Sequence, residues 1–300
     1  MKTQINDFLN YLMIEKGFSG NTIQAYRNDL YQLEDYLISY GSLDDVNQID
    51  STTLSNFVLN LQEKGYTRSS LARKIASIKS FLAFLVNEGI LPENPGDNIT
   101  APKIGRTLPT PISEEEINRL LGSAGSNGSS ESIRDKAMLE ILYATGMRVT
   151  EMVSLDKNDI NLAEGYVKCM GKGAKERLIP IHDSANAAVT TYLEASRPKL
   201  TGNPGEPALF VNQRGERLTR QGFWLILKDH AQRAGIQSPV TPHTLRHSFA
   251  THMLQGGASL RQVQEFLGHS SIASTQIYTH LTDTHIRSEF EKAHPRARSI

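Results

Sequence analysis

Five prolines fall within one short stretch, at positions 92, 95, 102, 109 and 111. Each lacks an amide donor and pushes the residue before it out of the helical region. No helix can run through such a stretch, so the 300-residue chain is expected to fold as two units, residues 1–91 and 112–300, joined over 92–111 by an extended, stiff linker. Both parts are long enough to bury a core of their own.

The first part reads as four helices. Ile5, Phe8, Leu9, Leu12 and Met13 follow the i, i+3, i+4, i+7, i+8 spacing of one buried stripe, with Gly17 as a stop. A second stripe uses Ile23, Tyr26, Leu30, Leu33 and Leu37 and ends near Gly41. Leu54, Phe57, Val58 and Leu61 form a third before Gly65. The fourth, Leu71, Ile75, Ile78, Leu82 and Leu85, is opened by Ser69 and Ser70 and closed by Gly89 and Pro92. Four short helices with short connections make a compact bundle.

From Ser113 to Glu116 a capping-box pattern opens the second part, which is mainly helical. The pattern breaks between Gly165 and Ile181. Residues 166–170 and 177–181 alternate as strands around a turn at Gly171, Lys172 and Gly173, the signature of a hairpin. The Gly- and Ser-rich run from Gly122 to Ser132 reads as a mobile loop. The fold class is therefore mainly α, in two domains, with a small antiparallel β-sheet in the second.

Charge gives little away. Formal net charge is zero, with a sequence pI near 7.1, well below the value of about 9 that marks a generally basic nucleic-acid binder. Residues 1–105 carry nine Lys and Arg against twelve Asp and Glu, so the remainder holds a net +3. Any anion-binding surface must be local. One candidate is the fourth helix, where Lys64, Arg68, Arg73, Lys74 and Lys79 crowd together with Glu63 as the nearby acid. A solvated helix face and a row of phosphate contacts are both consistent with that run. A single cysteine, Cys169, excludes an internal disulfide framework and a thiolate metal site. With no apolar leader and no long apolar run, a cytoplasmic location is expected.

The chemistry is concentrated in the second part. Arg148, Lys172, His243, Arg246, His269 and Tyr278 follow one another along it, with no acidic cluster beside them to collect a metal. Breaking a phosphodiester without a metal needs charge neutralisation, a nucleophile and a proton for the leaving group. An arginine can bind two phosphate oxygens through one planar fork. Arg148 follows Gly146 at a helix-to-helix break, and Glu151 lies one turn further on, where it can orient the arginine. Arg246 stands three residues after His243, behind a helix start at Thr241 and Pro242. His243 and His247 at i, i+4 could suggest a metal pair, but Arg246 between them would repel a cation and no third ligand is evident. His247 and His252 read as structural. No cofactor is called for.

At these six positions the chain resembles the tyrosine recombinases of the phage integrase family, and within them the XerC/XerD type. The resemblance extends over nearly the whole chain, including the ending His294, Pro295, Arg296, Ala297. It implies a SAM-like helical core-binding domain at 1–91 and a tyrosine recombinase catalytic domain at 112–300. Arg148, Lys172, His243, Arg246, His269 and Tyr278 would be the catalytic set, with Tyr278 the nucleophile that forms a 3′-phosphotyrosyl bond and Glu151 in support. Lys172 would protonate the leaving 5′-oxygen, with Lys168 and Lys175 as competitors. The resemblance tips the fourth-helix cations Arg68, Arg73, Lys74 and Lys79 toward phosphate contacts.

The implied function is site-specific strand exchange that resolves chromosome dimers at cell division. Its partners would be double-stranded DNA at a recombination site and a paralogous recombinase, two copies of each in a tetramer. The segment from His285 onward would dock on a neighbouring subunit. Activation by a septal DNA translocase, a phage or mobile-element integrase with the same chemistry, and a DNA-binding protein that has lost catalysis all stay open at this point.

Overall fold

The computed structural model describes residues 1–39, 46–102, 111–170, 176–203, 205–268 and 283–297, with the backbone alone at 283–286. The chain forms two compact units, Met1–Thr107 and Leu108–Ile300.

In the first unit, helices α1 (Lys2–Ile14), α2 (Gly20–Ser39), α3 (Ser51–Glu63) and α4 (Arg68–Asn87) surround one apolar core. The expected stripes face inward, and each fully buried Leu, Ile or Phe contributes about 1.5–3 kcal/mol. Met13 is the exception at 51% exposed, because 100° per residue carries it about 80° round from Ile5, to the rim of the stripe. Phe81, which the spacing argument leaves out, is fully buried against Phe8 with ring centroids 5.5 Å apart. Helix α4 starts earlier than Ser69: the Thr67 hydroxyl accepts from the Ser70 amide at 3.3 Å and is the cap.

The proline segment departs from expectation over its described part. Asn94 folds it back, its Oδ1 accepting from the Gly96 amide at 2.9 Å, and Ile99 donates to the Gly96 carbonyl at 3.2 Å. Leu91 and Ile99 bury in the first unit's core. Proline forbids helix here but not turns, and two apolar residues gain more by returning to the bundle than by standing extended.

The second unit opens with α5 (Glu114–Ser123), where Ser113 and Glu116 form the reciprocal capping box. Helix α6 (Ser130–Thr145) is buried all round and forms the unit's axis. Between them only residues 124–129 lie outside helix, so the expected loop is shorter than 122–132. Ser129 caps α6, and the Gly125 amide donates to Ser132 Oγ at 2.8 Å. Gly146, at φ +57, ends α6, and α7 (Val149–Ser154) follows. An antiparallel sheet β1–β2–β3 comprises Ile160–Asn161, Tyr166–Met170 and Glu176–Pro180, with Val167 opposite Ile179. The first of these strands, two residues long, is too short to leave a periodic signal.

Helix α8 (Asp183–Thr191) passes through a π turn at Tyr192–Ser196 into α9 (Arg197–Leu200). Then come α10 (Arg220–Arg233), α11 (Pro242–Gln255), α12 (Leu260–Leu267) and α13 (Asp283–Ala293). Helix α13 lies in the segment expected to dock on a neighbouring subunit. Phe290, Ala293 and His294 are buried in the chain's own second unit. Arg296 reaches Glu140 of α6 at 3.0 Å, and the His294 ring stacks on Phe290 at 4.9 Å between centroids.

Candidate active site

The site is built at the joint between α6 and α7. Gly146 adopts the left-handed conformation, and a side chain there would overlap the ring of Phe249 on α11. The chain thus turns sharply enough for Arg148 to become the N-cap of α7. The Arg148 amide donates to Glu151 Oε2 at 2.7 Å and its Nη1 to Glu151 Oε1 at 3.0 Å. With its side chain 46% exposed, the remaining guanidinium edge of Arg148 faces solvent.

Arg246 arrives from α11, whose start is capped by Thr241 with Pro242 in the first turn. Its guanidinium is buried, and it donates through Nη1 to the Gly146 carbonyl at 2.7 Å and through Nη2 to the Leu267 carbonyl at 2.6 Å. Burial, followed by the positive charges of Arg148 and Arg177, lowers its pKa to about 10 while Glu151 opposes the shift. Arg246 is therefore still charged at neutral pH. His243, three residues earlier on the same helix, is exposed.

A third arginine, Arg177 on β3, meets the same carboxylate. Its Nη1 and Nη2 donate to Glu151 Oε1 and Oε2 at 3.2 and 2.8 Å. Desolvation alone would push the Glu151 carboxyl up, but the hydrogen bonds from Arg177 and Arg148 outweigh it and hold the group below the usual glutamate range. Three guanidiniums against one carboxylate leave a local excess of positive charge in a partly dry setting. Such an excess attracts an anion, and a phosphate matches the paired donors of arginine best.

Sequence reasoning passed over Arg177, although a signal was there. Strand alternation puts it on the same face as the buried Ile179, and an arginine on an inward strand face requires an acid partner. Lys172, His269 and Tyr278 lie outside the described residues, as does Lys175. Their flanks are placed: Met170 pairs with Glu176 at the base of the hairpin, and Gly268, at φ +68, caps α12 just before His269. Lys168 lies 3.6 Å from Glu176. His252 is buried, with Nδ1 2.9 Å from the Tyr143 hydroxyl, which suits the structural role expected of it. Among the described residues no group of three or more His, Cys, Asp or Glu could hold a metal ion, and no helix is long and apolar enough to cross a membrane.

The fourth-helix cations divide. Lys74 is buried, donating to Asp29 Oδ1 at 3.0 Å and to Gln32 Oε1 at 2.5 Å, and its ammonium lies 4.9 Å from the Tyr66 ring centre. Arg73 also pairs with Asp29, and Lys79 donates to the Asp97 carbonyl at 3.4 Å. Lys74 thus serves the bundle interior and does not fit the phosphate contact expected of it. Arg68 and Lys64 are exposed.

Comparison with known proteins gives the family of the chain. Residues 111–285 match the phage integrase family, and residues 5–89 match the phage integrase N-terminal SAM-like domain. The chain belongs to the phage integrase family. Within it, this is a tyrosine recombinase of the XerC/XerD type, an enzyme of DNA strand exchange. Tyrosine recombinase XerC of Herpetosiphon aurantiacus is 50% identical over 285 residues, covering 94% of this chain and 92% of the relative. Tyrosine recombinase XerD of Oceanobacillus iheyensis is 45% identical over 294 residues, 98% of each chain. Among solved structures, a lambda integrase dimer bound to a COC′ core site superposes with a TM-score of 0.70 at 17% identity, covering 97% of this chain and 95% of that one. The XerH recombinase bound to difH in a pre-cleavage complex gives 0.66 at 25% identity, covering 89% and 78%.

Proposed function

We propose that this recombinase cuts and rejoins DNA through a 3′-phosphotyrosyl intermediate on Tyr278, and resolves chromosome dimers at cell division. Arg148 and Arg246 neutralise the non-bridging oxygens of the scissile phosphate, and His269 donates a further hydrogen bond to it. The Tyr278 oxygen attacks phosphorus as the bond to the 5′-oxygen breaks. A phenol has an ordinary pKa of about 10, so its proton must leave during attack, and His243 accepts it. Lys172 gives a proton to the departing 5′-oxygen. The phosphotyrosyl ester keeps the bond energy, so the 5′-hydroxyl of another strand can reverse the reaction without a nucleotide cofactor.

The cluster of Arg148, Arg177 and Arg246 around Glu151 carries the reading, because it supplies what a phosphate needs and a merely structural joint does not. Exchange between two duplexes calls for four active subunits, and a paralogous recombinase would contribute two of them. The XerC and XerD relatives support the cell-division role, which also fits a cytoplasmic location.

The test is a duplex carrying the recombination site with a nick beside the scissile phosphate, so that the cut strand diffuses away. Wild-type protein is expected to accumulate a covalent protein–DNA adduct, and Tyr278→Phe none. No adduct with wild type, or equal amounts with both, would sink the tyrosine mechanism.

A further inference from the structure

We infer that Arg177 is a positioning residue for strand cleavage, setting the turn that precedes His269 against the joint that carries Arg148. The inference rests on the proposed tyrosine mechanism and adds to it a residue outside the six. Arg177 is not a surface cation that drifted inward. Its side chain is 14% exposed, and both terminal nitrogens are engaged by a carboxylate that is itself 11% exposed. That carboxylate holds Arg148 twice, through the amide and through the guanidinium. One side of Arg177 therefore fixes Arg148.

Its other side meets the end of α12. A Cβ built on Gly268 would lie 2.7 Å from Arg177 Nη1, closer than real Cβ contacts come, and 3.0 Å from Cζ. The Gly268 backbone thus passes close to a guanidinium that Glu151 pins in place, and glycine suits both this approach and φ +68. The next residue is His269. One planar group accordingly sets the spacing between the segments that deliver Arg148 and His269. Because it is borne on β3, it also ties the base of the hairpin, where Met170 pairs with Glu176, to both. Arg246 performs a parallel task from α11, joining Gly146 to Leu267. Arg177 differs in having both terminal nitrogens taken by Glu151 and its side chain largely buried, which makes its role indirect.

A lysine could keep the charge beside Glu151 but could not span the carboxylate and support Gly268 with a flat surface. The experiment compares Arg177→Met and Arg177→Lys with wild type on the nicked substrate, measuring adduct formation in a single turnover at saturating protein, and affinity for the same duplex separately. A misplacement of about 1 Å at a reacting centre costs on the order of 100-fold in rate, which is the loss expected for Arg177→Met. Affinity should change by less than about threefold, since many phosphate contacts share it. Arg177→Lys should recover about tenfold of the lost rate by keeping Glu151 paired.

Adduct formation by Arg177→Met at the wild-type rate overturns the inference. So does a rate loss matched by an equal loss of affinity, with lysine no better than methionine. If the methionine variant gives no cooperative melt, the lysine variant decides: a wild-type rate overturns the inference, and a slower rate at unchanged affinity supports it. Failure of wild type itself to form adduct removes the tyrosine mechanism and this inference together. A methionine variant as fast as an active wild type removes the inference alone.

Discussion

The Arg246 guanidinium donates to the Gly146 carbonyl across one hundred residues of sequence, at 2.7 Å, and the same group reaches the carbonyl of Leu267. A side chain proposed to hold phosphate is thus also a brace between the joint before Arg148 and the end of α12.

Arg246→Lys is expected to lose rate and stability together. An ammonium cannot serve two carbonyls and a phosphate from one position, and hydrogen bonds to a charged group are worth about 1.5–3 kcal/mol. Cleavage should fall about 100- to 1,000-fold, as for loss of an oxyanion donor. Thermal unfolding and single-turnover cleavage of the same preparation check both halves, and a variant that loses rate at unchanged melting temperature would deny the bracing role.

Gly146→Ala should destabilise the second unit by about 2–4 kcal/mol, combining left-handed strain with overpacking against Phe249. Adding Phe249→Leu removes the overlap but not the strain. The double variant should then be more stable than the sum of the two single losses predicts. Denaturant unfolding of the four proteins measures this, and strict additivity would mean that the ring is not the obstacle.

Arg68 and Lys74 should separate DNA binding from folding. Arg68→Ala is expected to weaken DNA binding and reduce the slope of log affinity against log salt by about 1. Lys74→Met leaves Asp29 short of a partner within the bundle, where breaking a buried pair costs about 3–5 kcal/mol. It should lower the melting temperature of the first unit and leave the salt slope as it was. Swapped outcomes would reverse the assignments.

The histidines around α13 should make stability depend on acid. Burial lowers the pKa of His182 to about 3 and holds His294 well below its ordinary value, with neighbouring cations adding to the effect. Both are neutral when folded, whereas in the unfolded chain they take protons near pH 6.5. Stability is therefore full above about 6.5 and declines as pH falls toward the folded values, by up to about 1.4 kcal/mol per pH unit for each group. His294→Phe keeps a ring against Phe290 and should flatten the decline between pH 6.5 and 5. Equal slopes in melting temperature for the two proteins would clear His294 of the effect.

The helices of the first unit were legible because each carries a one-sided stripe, and the hairpin was legible because its strands alternate around a glycine-flanked turn. Helix α6 shows the opposite case: a helix buried on every side has no stripe to read, and only its caps mark it. Lys74 misled because local spacing reveals a crowded cation face but not Asp29, 45 residues earlier on another helix. Arg148 and Arg246 could be recognised by residue type and order. Arg177 left one signal, its place on the inward face of a strand, but its partners Glu151 and Gly268 are brought to it only by the fold.

Arg246 has a consequence for the family's history. On the proposed mechanism, a descendant that ceased to cut DNA would be released from keeping Arg148, whose side chain is 46% exposed. It would not be released from Arg246, because two carbonyls inside the scaffold still need that donor. Decay should therefore erase the exposed arginine first and leave the buried one standing. In a lineage of uncertain activity, a retained Arg246 testifies to an intact scaffold, and a retained Arg148 testifies to a working enzyme.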